Sequence, residues 1–215
     1  EIGTKAGAHV LVCTIPVNLK DCPPFASLHR PDLNADALES WDRAYTEGVH
    51  LESAGEHREA LSKFAEALAL DDHYSELAFR VARCNWEVGH FAQAGEWYRL
   101  ARDRDSLQFR TDSRLNRVIR ETAKGRARVH LVDLETAFEK ESPHGVPGEN
   151  LFLEHVHMNF HGNYVIAEAL FRSVRDGGVI KELAADAKPL DESACTEKLG
   201  YVGWSRYQIE LTIRG

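Results

Sequence analysis

The hydrophobic and polar positions of the chain follow two periods, and the change between them predicts where the elements lie. Residues 9–17 (HVLVCTIPV) and 128–134 (RVHLVDL) are short apolar, β-rich runs, which are typical of buried strands in a parallel sheet. The stretch 36–124 instead repeats its apolar residues at helical spacing. Beyond residue 159 the pattern is again helical, and the tail 191–213 predicts two further amphipathic helices.

The long helical stretch repeats itself. When it is aligned with itself at a shift of 34 residues, small, aromatic and acidic residues coincide in order: Gly48 with Ala82, Gly55 with Gly89, Ala60 with Ala94, Phe64 with Tyr98, Ala67 with Ala101, and Asp71 with Asp105. The stretch thereby resembles the tetratricopeptide repeat (TPR), although Asp72 and Ser106 stand where that repeat usually has a proline. The resemblance implies two helix pairs, with Phe64 and Tyr98 in equivalent buried positions, and a capping helix over 112–123.

The residues with the most evident chemistry lie in 151–170 (LFLEHVHMNFHGNYVIAEAL). A step of three residues from Glu154 to His157 places a carboxylate beside an imidazole ring if the turn folds back on itself. Asn159 is the expected N-cap of the helix that follows. A histidine base held on a loop by a carboxylate, with a helix behind it, is an arrangement that nucleophilic hydrolases use. The alternative is a strand-to-helix connection whose polar residues only cap the turn.

The same residues resemble the last conserved block of the SGNH (GDSL-like) ester hydrolases. There an Asp-x-x-His pair, often followed by Asn and Gly, supplies the acid and the base of a Ser-His-Asp triad. The resemblance implies that His157 is the general base and Glu154 the acid that orients it, with Asn159 and Gly162 at accessory positions. Glu154 departs from the family, since glutamate is one methylene longer than aspartate and reaches the ring only from a different backbone offset.

The SGNH resemblance covers 9–30 and 126–180 and does not include the family's nucleophile. The family's serine block and its oxyanion-hole residues precede these stretches, and no such motif occurs in the 215 residues. The first ten residues, EIGTKAGAHV, show neither an initiator Met nor a signal-peptide core. We therefore expect this segment to be the C-terminal portion of a longer protein, with the nucleophile upstream.

These elements predict an α/β fold class. We expect a partial SGNH-like (flavodoxin-like, three-layer) parallel sheet domain that is interrupted by an all-α TPR insert. The expected boundaries are 1–35 and 125–190 for the two parts of the α/β domain, 36–124 for the insert with its two repeats and capping helix, and 191–215 for a C-terminal helical tail.

Three asparagine and aspartate residues are candidates for the rim of the site. Loops that leave the carboxyl ends of parallel strands line the ligand crevice of such sheets. Asn18 and Asp21 follow the first predicted strand, and Asn159 follows the Glu-x-x-His block. For Asn18 and Asp21 the alternative is a solvated loop that Pro23 and Pro24 hold in place.

Composition narrows the classes of partner. The formal net charge of −8 argues against nucleic acid, because phosphate binding needs a basic face. No apolar run in the sequence approaches the ~20 residues that span a bilayer. The four cysteines form no CxxC pair and leave the cellular compartment unassigned.

Two functions of different classes are compatible with these features. The first is the C-terminal portion of a serine ester hydrolase or acyl transferase, which acts on small esters or acylated glycans through His157 and Glu154 without a cofactor. The second is a TPR scaffold that binds a peptide or protein and whose hydrolase-like part is inactive. A zinc site of Glu154, His155, His157 and His161 is a third reading, disfavoured because the helix after Asn159 turns His161 away.

Overall fold

The computed structural model describes residues 2–180 and 183–214. Two compact units divide the chain: the sheet unit, which runs up to Asn18 and resumes at Arg114, and the helical unit, Leu19–Ser113. In chain order the elements are α1 (Ile2–Lys5), β1 (Val10–Cys13), α2 (Ala35–Ser53), α3 (His57–Leu70), α4 (Ser75–Glu87), α5 (Phe91–Asp103), α6 (Ser113–Ala123), β2 (Val129–Val132), α7 (Leu134–Lys140), a 3₁₀ turn (Pro143–Gly145), α8 (Phe160–Asp176), α9 (Glu192–Leu199) and α10 (Gly203–Arg214).

The α/β fold class expected from the sequence is wrong. The structure is mostly helical, with 57% of its residues in helices, and its described residues form a parallel sheet of only two strands. β1 pairs with β2 from Val10–Val129 to Cys13–Val132, so each strand is four residues long. A three-layer domain needs a sheet broad enough to carry helices on both faces. The ribbon of β1 and β2 is too narrow for that.

Polar side chains cut both predicted strands short. Beyond the last paired residue of β1, Thr14 donates from its hydroxyl to Asp133 Oδ1 (2.9 Å). Next to it, the Ile15 N–H donates to the Asn116 side-chain oxygen (2.8 Å), and Asn116 Nδ2 donates to the Ile15 carbonyl (3.0 Å). On the other strand, Asp133 caps α7 by accepting from the Thr136 N–H (3.3 Å). Asn116 therefore satisfies the main chain of Ile15, and Asp133 begins a helix. For these reasons neither apolar run continues as a longer strand.

Helix α6 buries a polar residue and leaves much of its apolar stripe open. Asn116 is fully buried, whereas Leu115 and Val118 are each 49% exposed. Arg120, one turn further along, pairs with two carboxylates at the start of α7 at 2.8 and 2.7 Å. These contacts lie within the sheet unit.

The 34-residue period corresponds to two equivalent helix pairs in the helical unit, α2–α3 and α4–α5. Each pair turns at a glycine with positive φ, +80° at Gly55 and +84° at Gly89, a conformation that glycine adopts without strain. Phe64 and Tyr98 are both buried, at 0% and 2% exposure. Gly48 allows α2 to approach α3 closely, because a Cβ there would come within 2.5 Å of the Phe64 ring.

Two equivalent aspartates, Asp71 and Asp105, tie the loop before α2 to the helices of the helical unit. Both side chains are buried. Their carboxylates accept hydrogen bonds from that loop: at Asp71 from the Arg30 N–H (3.3 Å) and the His29 ring (2.8 Å), and at Asp105 from the N–H groups of Phe25 (2.9 Å) and Ala26 (3.1 Å). The loop is therefore bonded to equivalent positions of the two helix pairs.

Candidate functional site

Residues 151–159 form a tight hairpin that places the Glu-x-x-His block at its turn. Two main-chain bonds close it, from the Leu153 N–H to the His157 carbonyl (2.8 Å) and from the Asn159 N–H to the Leu151 carbonyl (3.0 Å). The base of the hairpin is anchored in a small core made by Leu151 and Phe152 with Phe138 of α7 and Val165 of α8. The residues that carry the turn are therefore held in place by this core.

The turn brings Glu154 and His157 together. Glu154 Oε1 accepts a hydrogen bond from His157 Nδ1 at 2.6 Å, and it also accepts from the N–H groups of Val156 (3.1 Å) and His157 (2.5 Å). These bonds fix the carboxylate and aim it at one ring nitrogen. A proton held on Nδ1 by the carboxylate leaves Nε2 of His157 as the nitrogen that can accept a proton. The His157 side chain is 67% exposed and Glu154 24%.

His155 contacts the second oxygen of the same carboxylate. Its Nδ1 pairs with Glu154 Oε2, and its ring lies edge-on to that of His157 with 6.4 Å between centroids. The sequence pattern alone did not predict that His155 shares this carboxylate with His157. The signal that could have found it is the adjacency of Glu154 and His155 in a turn already expected to fold back.

Asn18 supports the turn from beneath rather than forming a rim. It is buried at 2% exposure, its N–H donates to the His155 carbonyl (3.1 Å), and its Nδ2 donates to the Glu154 carbonyl (3.1 Å). Asp21, the other candidate from that loop, belongs to the helical unit, where its carboxylate accepts from Lys20 Nζ at 2.7 Å.

Asn159 joins the hairpin to α8. It is the N-cap of α8, with its side-chain oxygen accepting from the Gly162 N–H (2.9 Å), while its Nδ2 donates to the carbonyls of Glu149 (3.1 Å) and Asn150 (3.0 Å). Gly162 is required by packing, because a Cβ there would collide with the Leu151 carbonyl. The two accessory residues therefore fix the angle at which the hairpin meets the helix.

A cavity of about 1000 Å³ lies beside His157. Its walls come from the hairpin, the first turn of α8 and the tail helices α9 and α10. The tail is held to α8 by a bond between His161 Nδ1 and Glu192 Oε2 (2.9 Å) and by stacking of Phe160 on Tyr201 (4.3 Å between centroids). The partners of the first contact are 31 positions apart, and no local pattern in the sequence could have paired them.

The described part of the chain shows no group of three or more His, Cys, Asp or Glu side chains that could hold a metal ion. His161, a candidate in the zinc reading, is bonded to Glu192. Among the helices of the described ranges, none combines the length and the apolar character that a bilayer span requires. Comparison of the chain with known proteins gave no matching family model, curated protein or solved structure.

Proposed function

We propose that this chain supplies the acid–base pair of an SGNH-type serine ester hydrolase or acyl transferase, with His157 as general base and Glu154 as the residue that orients it. The observation that supports this most is the 2.6 Å hydrogen bond between Glu154 Oε1 and His157 Nδ1. The carboxylate is also bonded to the turn itself, and the ring is open to a cavity. A carboxylate that only capped the turn would not need the ring bond.

In this function His157 moves a single proton between the reacting oxygens. Nε2 takes the proton from a nucleophilic hydroxyl as that oxygen attacks the ester carbonyl, and the resulting imidazolium is stabilised through Nδ1–H by Glu154. The ring then returns the proton to the departing alkoxide as its C–O bond breaks. Water or an acceptor alcohol releases the acyl group by the same steps. Such general acid–base catalysis contributes on the order of 10²–10⁴ in rate.

The glutamate fits this role although the family has aspartate. Its extra methylene lets Oε1 curl over the turn and reach the ring while accepting from two main-chain N–H groups. No serine is among the described residues that line the cavity. Following the SGNH resemblance, we take the nucleophilic serine and the oxyanion-hole donors from the blocks expected before residue 9.

A scaffold function is the second candidate, and the helical unit supports it. It contains two equivalent helix pairs, and in other proteins stacked helix pairs of this kind bind peptides. In that case the Glu154–His157 pair would be a relic without a nucleophile. Labelling of the intact protein with a fluorophosphonate separates the two functions, because only the hydrolase reacts.

Hydrolysis of a short-chain aryl ester by the intact protein tests the hydrolase directly. His157→Ala should lower kcat by about 10² or more while the protein stays folded. His155→Ala should retain activity within a few-fold, as should the control His50→Ala in α2. Equal activity of all three variants would refute the assignment of His157. Labelling of a serine within these 215 residues that is lost in His157→Ala would show that the nucleophile is not upstream.

A further inference from the structure

The cavity beside His157 has an exposed apolar wall. Leu199, Val202 and Ile209 of the tail line it, and these side chains are 73%, 58% and 42% exposed. The hairpin adds Leu153, Val156 and Met158 to the lining. Burial of apolar surface is the dominant favourable term in most association. This wall therefore favours a ligand that covers it with hydrocarbon.

The amides that line the cavity already have partners in the protein. Asn150 Nδ2 donates to the Glu141 carbonyl (3.1 Å), Asn159 Nδ2 to the Glu149 carbonyl (3.1 Å) and Asn163 Nδ2 to the Asn159 carbonyl (3.0 Å). A sugar is recognised through several directional hydrogen bonds, and these donors are committed to main-chain carbonyls. The lining therefore suits a hydrocarbon group better than a glycan.

The charges around the cavity point to a neutral ligand. Glu149 and Glu192 line it, and the described lining residues include no lysine or arginine. A carboxylate, phosphate or sulfate entering the cavity would meet like charge without a cationic partner. The ligand that this lining fits is uncharged.

We propose that the cavity binds the acyl chain of a neutral ester of medium chain length, with the ester carbonyl held toward His157. That the ligand is an ester rests on the proposed hydrolase function. Binding of the hydrocarbon itself does not depend on catalysis. The tail helices α9 and α10 thereby set the substrate class, a role distinct from that of the Glu154–His157 pair.

The binding experiment uses an uncharged fluorescent probe, N-phenyl-1-naphthylamine, and the full chain. We expect saturable binding that octan-2-one, a neutral ketone that cannot be hydrolysed, displaces and that acetone does not. Val202→Glu should weaken probe binding by about tenfold, the scale of a hydrophobic pocket contact. Leu211→Glu is the matched control, since Leu211 is exposed to a similar degree (55%) on α10 and does not line the cavity. Far-UV circular dichroism checks that both variants are folded.

A second arm measures chain-length selectivity in the intact protein with 4-nitrophenyl acetate and 4-nitrophenyl octanoate. The ratio of kcat/KM should favour octanoate, and Val202→Glu should reduce it while Leu211→Glu leaves it unchanged. Equal loss of probe binding in both variants, or loss in neither, overturns the cavity assignment. Normal probe binding without hydrolysis of either ester overturns the hydrolase function alone and leaves an apolar ligand site.

Discussion

Two of the protein's imidazole–carboxylate pairs lie in very different settings. In the helical unit, His29 Nδ1 is 2.8 Å from Asp71 Oδ2, and in the hairpin of the sheet unit His157 Nδ1 is 2.6 Å from Glu154 Oε1. Asp71 is fully buried, and the His29 ring packs against Trp41 and Tyr74. His157 is 67% exposed beside a cavity.

The difference lies in what the carboxylate holds besides the ring. Asp71 accepts from the Arg30 N–H, 41 positions away in the chain, so the bond connects a loop to a helix end. The Glu154 carboxylate instead contacts the N–H groups of Val156 and His157 and the rings of His155 and His157, all within its own turn. The same chemical pair therefore stabilises the fold in one place and leaves a base open to a ligand in the other.

The sharpest test of this comparison is the stability of matched variants. Asp71→Ala removes bonds to the His29 ring and to the N–H groups of Arg30 and His73, and at about 1 kcal/mol for each bond it should cost about 3 kcal/mol of unfolding free energy. Glu154→Ala removes bonds in an exposed local turn and should cost about 1 kcal/mol or less. Urea denaturation of both variants measures this. Equal losses of unfolding free energy would mean that the Glu154–His157 pair also stabilises the fold.

A third carboxylate, Asp133, gives a smaller effect that depends on pH. Burial opposes its ionisation, but hydrogen bonds from Arg120, the Thr136 N–H and Thr14 outweigh burial and lower its pKa to about 2. Because the folded pKa lies below the value of about 3.9 expected in the unfolded chain, the stabilisation is full above that value. It is lost as pH falls toward the folded pKa.

We therefore expect the thermal midpoint to fall between pH ~4 and ~2, and Asp133→Asn to flatten that part of the curve. Asp186→Asn, at an exposed loop position of the sheet unit, is the control and should leave the curve unchanged. A wild-type slope that persists in Asp133→Asn would show that other carboxylates dominate.

Local patterns in the sequence were informative where the structure is local. The helical period of 36–124 and the equivalence of Phe64 and Tyr98 follow from residues at fixed spacing, and both rings are buried. Glu154 and His157 are three positions apart, so a single turn brings them together. These features depend on neighbours that the sequence already displays.

The predicted fold class was wrong because contacts between residues far apart in the sequence determine the fold. Each apolar run could form a strand, but the length of β1 depends on Asn116, which lies 101 positions from Ile15 and takes the place of a strand neighbour. The cavity likewise depends on His161 meeting Glu192 across 31 positions. Hydrophobic periodicity reports burial along one element and contains no information about such pairings.

We expect Glu154 to fix the proton of His157 on Nδ1, and nuclear magnetic resonance of the imidazole nitrogens measures this directly in the full chain. At a pH where the ring is neutral, two-dimensional ¹H–¹⁵N correlation should show His157 with Nδ1 protonated and Nε2 bare. Glu154→Ala should return His157 to the Nε2–H tautomer that free histidine prefers, with the exposed His50 of α2 unchanged in both proteins. An Nε2–H tautomer for His157 in the wild-type chain, or a spectrum that Glu154→Ala does not alter, would contradict the claim.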